Sequence, residues 1–175
     1  MQMTFAMAAL AGALALAGCG KSDGAPSAAE IKAESAKLPK QKPGRYTSLT
    51  KMTDFAIEGV GPQDADRIRR EMLAINGQSR TVCVTQEEAD RGFEDLVNEL
   101  QAGTCKTESF AVDGNRLTAQ LACTTQQGVT SKIGVSGTNT TDTAHTRLTI
   151  AQQNKAGVTM KMVMEVDSLR EGDCR

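Results

Sequence analysis

Three methionines stand at alternate positions in the last part of the chain, at Met160, Met162 and Met164. Alternate residues of a β-strand project to the same side of a sheet, so this spacing predicts three thioether groups on one surface. Thioether sulfurs are soft ligands that suit Cu(I). Methionine is also a flexible apolar residue that fills irregular cores, and Val158 and Val166 extend the same row. The pattern therefore predicts an apolar sheet face, with a Cu(I) site as the alternative.

Residue types that carry out catalysis are sparse in this chain. His145 is the only histidine, and its alternation against Leu148 and Ile150 predicts a solvent-facing side chain on a strand. The sequence contains no phosphate-binding loop, dinucleotide fingerprint or zinc-ligand spacing. We therefore predict no catalytic residue, no cofactor and a non-enzymatic function. The alternative is an enzyme acting through two convergent carboxylates, at least one of them with a raised pKa.

The first of five cysteines, Cys19, follows an uncharged segment rich in Ala and Leu, Thr4 to Gly18. This segment is long enough for a signal-peptide core but shorter than the ~20 residues that span a bilayer. The run Leu16-Ala17-Gly18-Cys19 resembles the lipobox of bacterial lipoproteins, which implies a diacylglycerol thioether and an N-acyl chain on Cys19. Residues 1–18 are then a signal peptide, and the lipid on Cys19 anchors the protein to a membrane. The residue that follows Cys19 is Gly20. An Asp at this position would favour retention in the inner membrane, so Gly20 favours the outer membrane.

The other four cysteines form an even set that can make two disulfides outside the cytoplasm. We therefore expect the protein on the periplasmic side of the bacterial cell envelope. A helix between Cys83 and Cys105 would separate them by roughly 24 Å, whereas a disulfide tolerates about 7 Å between α-carbons. We expect the pairs Cys105–Cys123 and Cys83–Cys174, and the other two pairings stay open.

The pairing of Cys105 with Cys123 depends on the register of a hairpin whose loop contains Asp113-Gly114-Asn115. A three-residue loop would place these cysteines opposite one another but would separate Phe110 and Val112 from the apolar residues of the second strand. A two-residue turn would unite the apolar residues but offset the cysteines. A β-bulge would reconcile the two arrangements.

Length and composition indicate one folded domain after a tether. The chain has 175 residues, a net charge of −1 and 39% hydrophobic residues. It has neither the basic excess nor the aromatic residues of a nucleic-acid-binding protein, so we expect no nucleic-acid partner. Residues 19–41, rich in Ala, Ser, Lys and Pro, are expected to form the lipidated N-terminus and a flexible tether. Residues 42–175 are expected to form a single disulfide-stapled β-rich domain.

Hydrophobic periodicity places the elements of that domain. Strands are predicted at 45–57 and 79–85, separated by an amphipathic helix over 62–75. A second helix begins with a capping box formed by Thr85 and Glu88, and its apolar positions continue to Leu100. Strands joined by turns follow to the end of the chain. The predicted fold class is α+β, a curved antiparallel β meander of about six or seven strands with two short helices packed on or beside it.

Several short motifs of the predicted domain resemble a family of proteobacterial envelope proteins catalogued as domain of unknown function 3617. They run in the order Lys42-Pro43-Gly44-Arg45-Tyr46, Cys83-Val84-Thr85, Cys105, Asp113-Gly114-Asn115, Cys123, the Met-bearing strand and Gly172-Asp173-Cys174. The family often carries Trp where Tyr46 stands, and a shorter loop where the helix over 62–75 is predicted. The family has no established activity, so the resemblance implies location and fold. Together these features predict a membrane-anchored, non-catalytic binding module whose apolar sheet face accepts a lipid-like ligand or a segment of an envelope protein.

Overall fold

A computed structural model describes residues 24–74, 77–92 and 105–174 of the chain. These residues form a seven-stranded, open, antiparallel sheet with three helices, so the structure is mostly β. The helices are α1 (Ala28–Ser35), α2 (Pro62–Ala74) and α3 (Gln86–Arg91). The strands are β1 (Gly44–Glu58), β2 (Gln78–Val84), β3 (Cys105–Asp113), β4 (Arg116–Thr124), β5 (Thr130–Asn139), β6 (Thr143–Gln153) and β7 (Thr159–Gly172).

The strands lie in the order β2-β1-β7-β6-β5-β4-β3. Strands β3 to β7 follow one another as a meander, as the period-two pattern predicts. Strand β1 then pairs with β7, and β2 forms the far edge of the sheet. The sheet is therefore completed by contacts between the first and last strands of the domain, which are far apart in sequence.

The β3–β4 hairpin confirms the predicted β-bulge. Asp113 pairs with Arg116, so the turn has two residues, and Gly114 provides its positive φ of 60°. A register shift between Thr107 and Ser109 then realigns the strands. Phe110 and Val112 consequently share a face with the apolar residues of β4, and Cys105 still lies opposite Cys123.

The helices differ in part from the prediction. Helix α3 begins with the expected capping box, in which Thr85 and Glu88 bond to each other's backbone N–H groups. It ends at Arg91, before Gly92 with a φ of 58°, and its predicted continuation to Leu100 lies outside the described residues. Helix α2 contacts β1, but no residue of α2 is buried. The expectation of two short helices packed on the sheet is thus not confirmed, and the described residues contain three helices.

The third helix, α1, occupies the segment that composition assigned to a flexible tether. Ser27 and Glu30 form a capping box at its start. Ile31 and Leu38 are only 3% and 4% exposed, and the Val112 backbone N–H donates to Glu34 Oε2 over 3.2 Å. A helix of this length is unstable alone, so its contact with β3 supplies the stabilisation that the local sequence lacks.

Candidate functional site

Strand register brings most of the large apolar side chains of five strands to one side of the sheet, which we call the apolar face. Because side chains alternate along each strand, the register assigns every residue to one side or the other. The face is formed by Leu117, Ala119 and Leu121 of β4, Ile133 and Val135 of β5, Leu148 and Ile150 of β6, Met160, Met162, Met164 and Val166 of β7, and Met52 and Phe55 of β1. A single apolar surface thus extends across most of the sheet.

The predicted methionine row lies at the centre of this face. Met164 is opposite Met52 on β1 and opposite Leu148 on β6. Met162 stands in the same way between Phe55 and Ile150. The three methionines of β7 are half-buried. The row is therefore flanked mainly by hydrocarbon side chains, with one further thioether opposite Met164.

A bulge in β1 makes this arrangement possible. The register between β1 and β7 shifts between Met52 and Asp54, which inserts Thr53 as an extra residue. Met52 and Phe55 would otherwise project to opposite sides of the sheet, since they are three residues apart. With the bulge, both lie on the apolar face, and Phe55 is only 1% exposed.

The opposite side of the sheet, which we call the polar face, carries polar side-chain pairs between neighbouring strands. His145 is exposed there, as its alternation predicts, and its Nδ1 lies 2.7 Å from Asp167 Oδ1. Arg147 donates to Glu165 over 2.7 Å on the same pair of strands. These are cross-strand contacts between exposed side chains, of the kind that adds modestly to sheet stability.

The larger grooves do not follow the methionine row. A shallow groove of about 390 Å³ on the polar face is lined by residues that include Thr47, His145, Asp167 and the exposed Leu169. Another of about 380 Å³ lies where β4 to β7 begin or end, and residues that line it include Ala122, Thr130, Lys132, Ala151 and Gln153. Both are broad surface depressions with mixed polar and apolar linings.

Several carboxylates in the described part of the chain have a lowered pKa. The Lys42 ammonium, followed by the Thr141 hydroxyl, lowers the pKa of Asp142 through hydrogen bonds. The Thr85 backbone N–H and then its hydroxyl lower the pKa of Glu88 in the same way. The pKa values of Glu30 and Glu34 are also lowered by hydrogen bonds. Within the described ranges no group of three His, Cys, Asp or Glu side chains could hold a metal ion.

Tyr46 organises a polar cluster that the sequence analysis did not identify. Its ring is buried, and its hydroxyl lies 2.8 Å from the Lys42 carbonyl oxygen and 3.0 Å from that of Thr141. Burial, together with the negative charge of Asp142, raises the pKa of Tyr46. The Arg170 backbone N–H donates to the Asp142 carbonyl over 2.8 Å. The cluster thereby joins the β5–β6 turn to the start of β1 and the end of β7.

Gly44 allows the chain to approach β7 closely at this cluster. It has a φ of 148°, and a Cβ at this position would lie 2.4 Å from the Gly172 carbonyl oxygen. The Arg170 guanidinium donates to the Pro43 carbonyl over 2.9 Å beside it. The sequence analysis used the segment Lys42 to Tyr46 only as one motif of the family resemblance. The sequence feature that could have indicated this cluster is the Pro43-Gly44 pair followed by the aromatic residue Tyr46.

Both expected disulfides are present. Cys105 and Cys123 are joined across the hairpin, with 3.9 Å between their α-carbons. Cys83 and Cys174 are joined with 5.7 Å between theirs, and both are exposed. A register shift where Arg45 meets Gly172 turns the end of β7 toward the side that carries Cys83. Cys19 lies outside the described residues.

Comparison with known proteins places the chain in a family but attaches no activity to it. No curated protein and no solved structure matches the chain. No helix in the described part of the chain is long and apolar enough to cross a membrane. A family model described as "Protein of unknown function (DUF3617)" matches residues 41–174, which include all seven strands and both disulfides. The chain therefore belongs to the DUF3617 family.

Proposed function

We propose that this protein is a lipid-anchored protein of the bacterial envelope that acts as a non-catalytic interaction module. In this proposal Cys19 carries the lipid, and the apolar face receives an apolar segment of another envelope protein. The observation that carries the proposal is the contrast between the two sides of the sheet. One side is a continuous apolar surface, buried at Phe55 and along β4 and half-buried along the methionine row, and the other carries polar side-chain pairs between neighbouring strands.

The properties of the methionine row favour a protein segment over a lipid as the occupant. A lipid-like ligand needs a concave, largely enclosed pocket that buries most of its surface. The grooves of about 380 and 390 Å³ are lined by other residues and are open. Flexible methionine side chains on a broad surface suit the adaptable contacts that protein segments make. We therefore assign the apolar face to a protein partner and treat lipid binding as an outcome to be tested.

An envelope location is supported by the covalent chemistry of the domain. Its four cysteines are paired in two disulfides, which persist in oxidising compartments and are rare in the cytosol of most bacteria. The leader that ends at Cys19 supports export and lipidation, and α1 begins at Ala28, nine positions after Cys19. The anchor and the folded domain are thus close together in sequence, which would keep the domain near the membrane surface.

The two alternative functions have less support. A carboxylate enzyme requires a general acid with a raised pKa, whereas the carboxyl shifts resolved in the described residues are all downward. A Cu(I) site requires thioethers that converge on one point. Met160, Met162 and Met164 are instead spread along one strand, and each lies about 7 Å along the strand from the next.

Site-specific photo-crosslinking in intact envelopes tests the proposal. A photoreactive residue replaces Met162 on the apolar face, and a control protein carries the same residue in place of the exposed Thr149 on the polar face. We expect a discrete protein adduct from position 162 that is absent from position 149, with one peptide segment of the partner modified. A lipid adduct at position 162 would replace the partner assignment with ligand binding. Equal labelling from both positions would refute a role for the apolar face.

A further inference from the structure

The two edges of the sheet are protected very differently. Helix α1 lies against the β3 edge, and its Glu34 carboxylate accepts a hydrogen bond from the Val112 backbone N–H. Strand β2 forms the other edge, and no strand among the described residues pairs with its outer side. All its residues from Gln78 to Cys83 are exposed, and Val84 is half-buried. Among the described residues, one edge of the sheet thus contacts a helix and the other has no partner strand.

Strand β2 lacks most of the features that prevent edge-to-edge pairing. It pairs with β1 over seven consecutive positions without a bulge, and it contains no proline. Arg80 is its only charged residue. An extended, unbulged edge with one charge presents unpaired backbone N–H and C=O groups to another strand. Its position is held by the Cys83–Cys174 disulfide at one end and by the hydrogen bond from Gly77 N–H to the Thr50 carbonyl at the other.

We infer that β2 pairs with β2 of a second copy of this chain, in an antiparallel arrangement centred on Thr81, to form a symmetric dimer. Full overlap in this arrangement places Arg80 opposite Val82 of the other copy, so no like charges face one another. Ser79 lies opposite Cys83, and its small side chain leaves room for the disulfide. The net charge of −1 imposes little overall repulsion between copies.

Two-fold symmetry limits this association to two copies. A two-fold contact uses the same strand of both molecules, so each β2 edge is occupied after pairing, and α1 lies against the β3 edge of each copy. The dimer would contain a continuous sheet of two seven-stranded halves. Val82 is opposite Tyr46, which projects to the same side of β1 as Met52 because the two are an even number of positions apart. Val82 and Val84 therefore lie on the side of the sheet that carries the apolar face. Pairing would therefore join the apolar faces of the two copies along one side.

Charge substitutions at Val82 test both the partner and the register. Val82 is 36% exposed, so a polar replacement is tolerated better there than at a core position. In the symmetric dimer the contact between position 80 of one copy and position 82 of the other occurs twice. Val82→Lys places a cation opposite Arg80 at both contacts, and Val82→Glu places an anion opposite it. Both variants place a charge at position 82, opposite Tyr46, and only the sign of that charge differs between them. The double variant Arg80→Glu/Val82→Lys restores opposite charges in the predicted register.

Sedimentation equilibrium of the full chain, with one detergent used for all variants, measures the dissociation constant. We expect a wild-type dimer, weaker association of Val82→Lys on the order of tenfold, and association of Val82→Glu and of the double variant at least as tight as wild type. Retention of both disulfides and of the far-ultraviolet circular dichroism spectrum establishes that the variants are folded. A monomeric wild type, or equal weakening by Lys and Glu at position 82, would overturn the inference.

Discussion

Replacing Tyr46 with Phe removes one hydroxyl from a buried site and nearly preserves the shape of the side chain. The hydroxyl lies within hydrogen-bond distance of the carbonyl oxygens of Lys42 and Thr141. The Thr141 carbonyl keeps its bond from the Lys42 backbone N–H, 2.9 Å away, so the variant does not leave it without a donor. We therefore expect the free energy of unfolding to fall by about 1–2 kcal/mol, within the range for a lost buried hydrogen bond.

Urea unfolding followed by circular dichroism measures this change. With a dependence on denaturant of about 2 kcal/mol per molar urea, the midpoint should fall by roughly 0.5–1 M. Thr47→Val provides a matched control on the same strand as Tyr46. It removes one hydroxyl of the exposed Thr47–Thr81 pair, which joins β1 to β2. That variant should change the free energy of unfolding by less than about 0.5 kcal/mol. A Tyr46→Phe effect no larger than that of Thr47→Val would contradict the structural role of the cluster.

The pH dependence of the same variant gives an independent test. The pKa of Tyr46 is raised in the folded protein, chiefly by burial, so folding favours the protonated phenol. This contribution to stability is complete below the unfolded-state value of about 10 and is lost as the pH rises through the folded-state pKa. The stability advantage of wild type over Tyr46→Phe should therefore shrink at alkaline pH. A difference that stays constant from about pH 8 to about pH 11 would refute the assigned cause.

Three further predictions concern the anchor, the exposed disulfide and the Gly44 contact. Cys19→Ser should abolish incorporation of a fatty-acid analogue and release the folded domain from membranes; unchanged labelling would disprove lipidation at this residue. The double variant Cys83→Ala/Cys174→Ala should lower the free energy of unfolding by about 4–5 kcal/mol, since the disulfide joins residues 91 positions apart. A denaturant titration measures this change, and a loss below about 1 kcal/mol would contradict the expected stabilisation. Gly44→Ala should lower the thermal midpoint strongly because its Cβ meets backbone, whereas Gly24→Ala, with open space around it and outside any helix or strand, should leave the midpoint almost unchanged.

Local patterns predicted the elements whose causes are local. Helix α3 begins where Thr85 and Glu88 predict it, because a capping box needs only residues three positions apart. The turn at Gly114 and the solvent-facing position of His145 follow in the same way from turn chemistry and alternation. The even set of four cysteines was sufficient to anticipate two disulfides, and the conflict between apolar register and cysteine register was sufficient to suggest the bulge in β3.

Features that arise from distant contacts were not predictable in this way. Helix α1 is too short to be stable alone, and it contacts β3 through Glu34, which accepts a hydrogen bond from Val112, 78 positions later. The Tyr46 cluster joins segments about 95 and 125 positions apart, through Thr141 and Arg170. The bulge at Thr53 was not predicted, because only the pairing of β1 with β7 shows which side chains it brings to one side of the sheet.

The amino-acid sequence alone determined the alternating apolar rows, the capping and turn residues, the apolar segment before Cys19 and the family resemblance. These depend on residue types a few positions apart, where backbone geometry permits few arrangements. Only the tertiary structure decided that β1 lies between β2 and β7, that one edge of the sheet contacts α1, and that the methionine row stands opposite Met52 and Phe55. Strand order and edge protection depend on packing between residues that are distant in the chain, and no local pattern specifies which of those contacts forms.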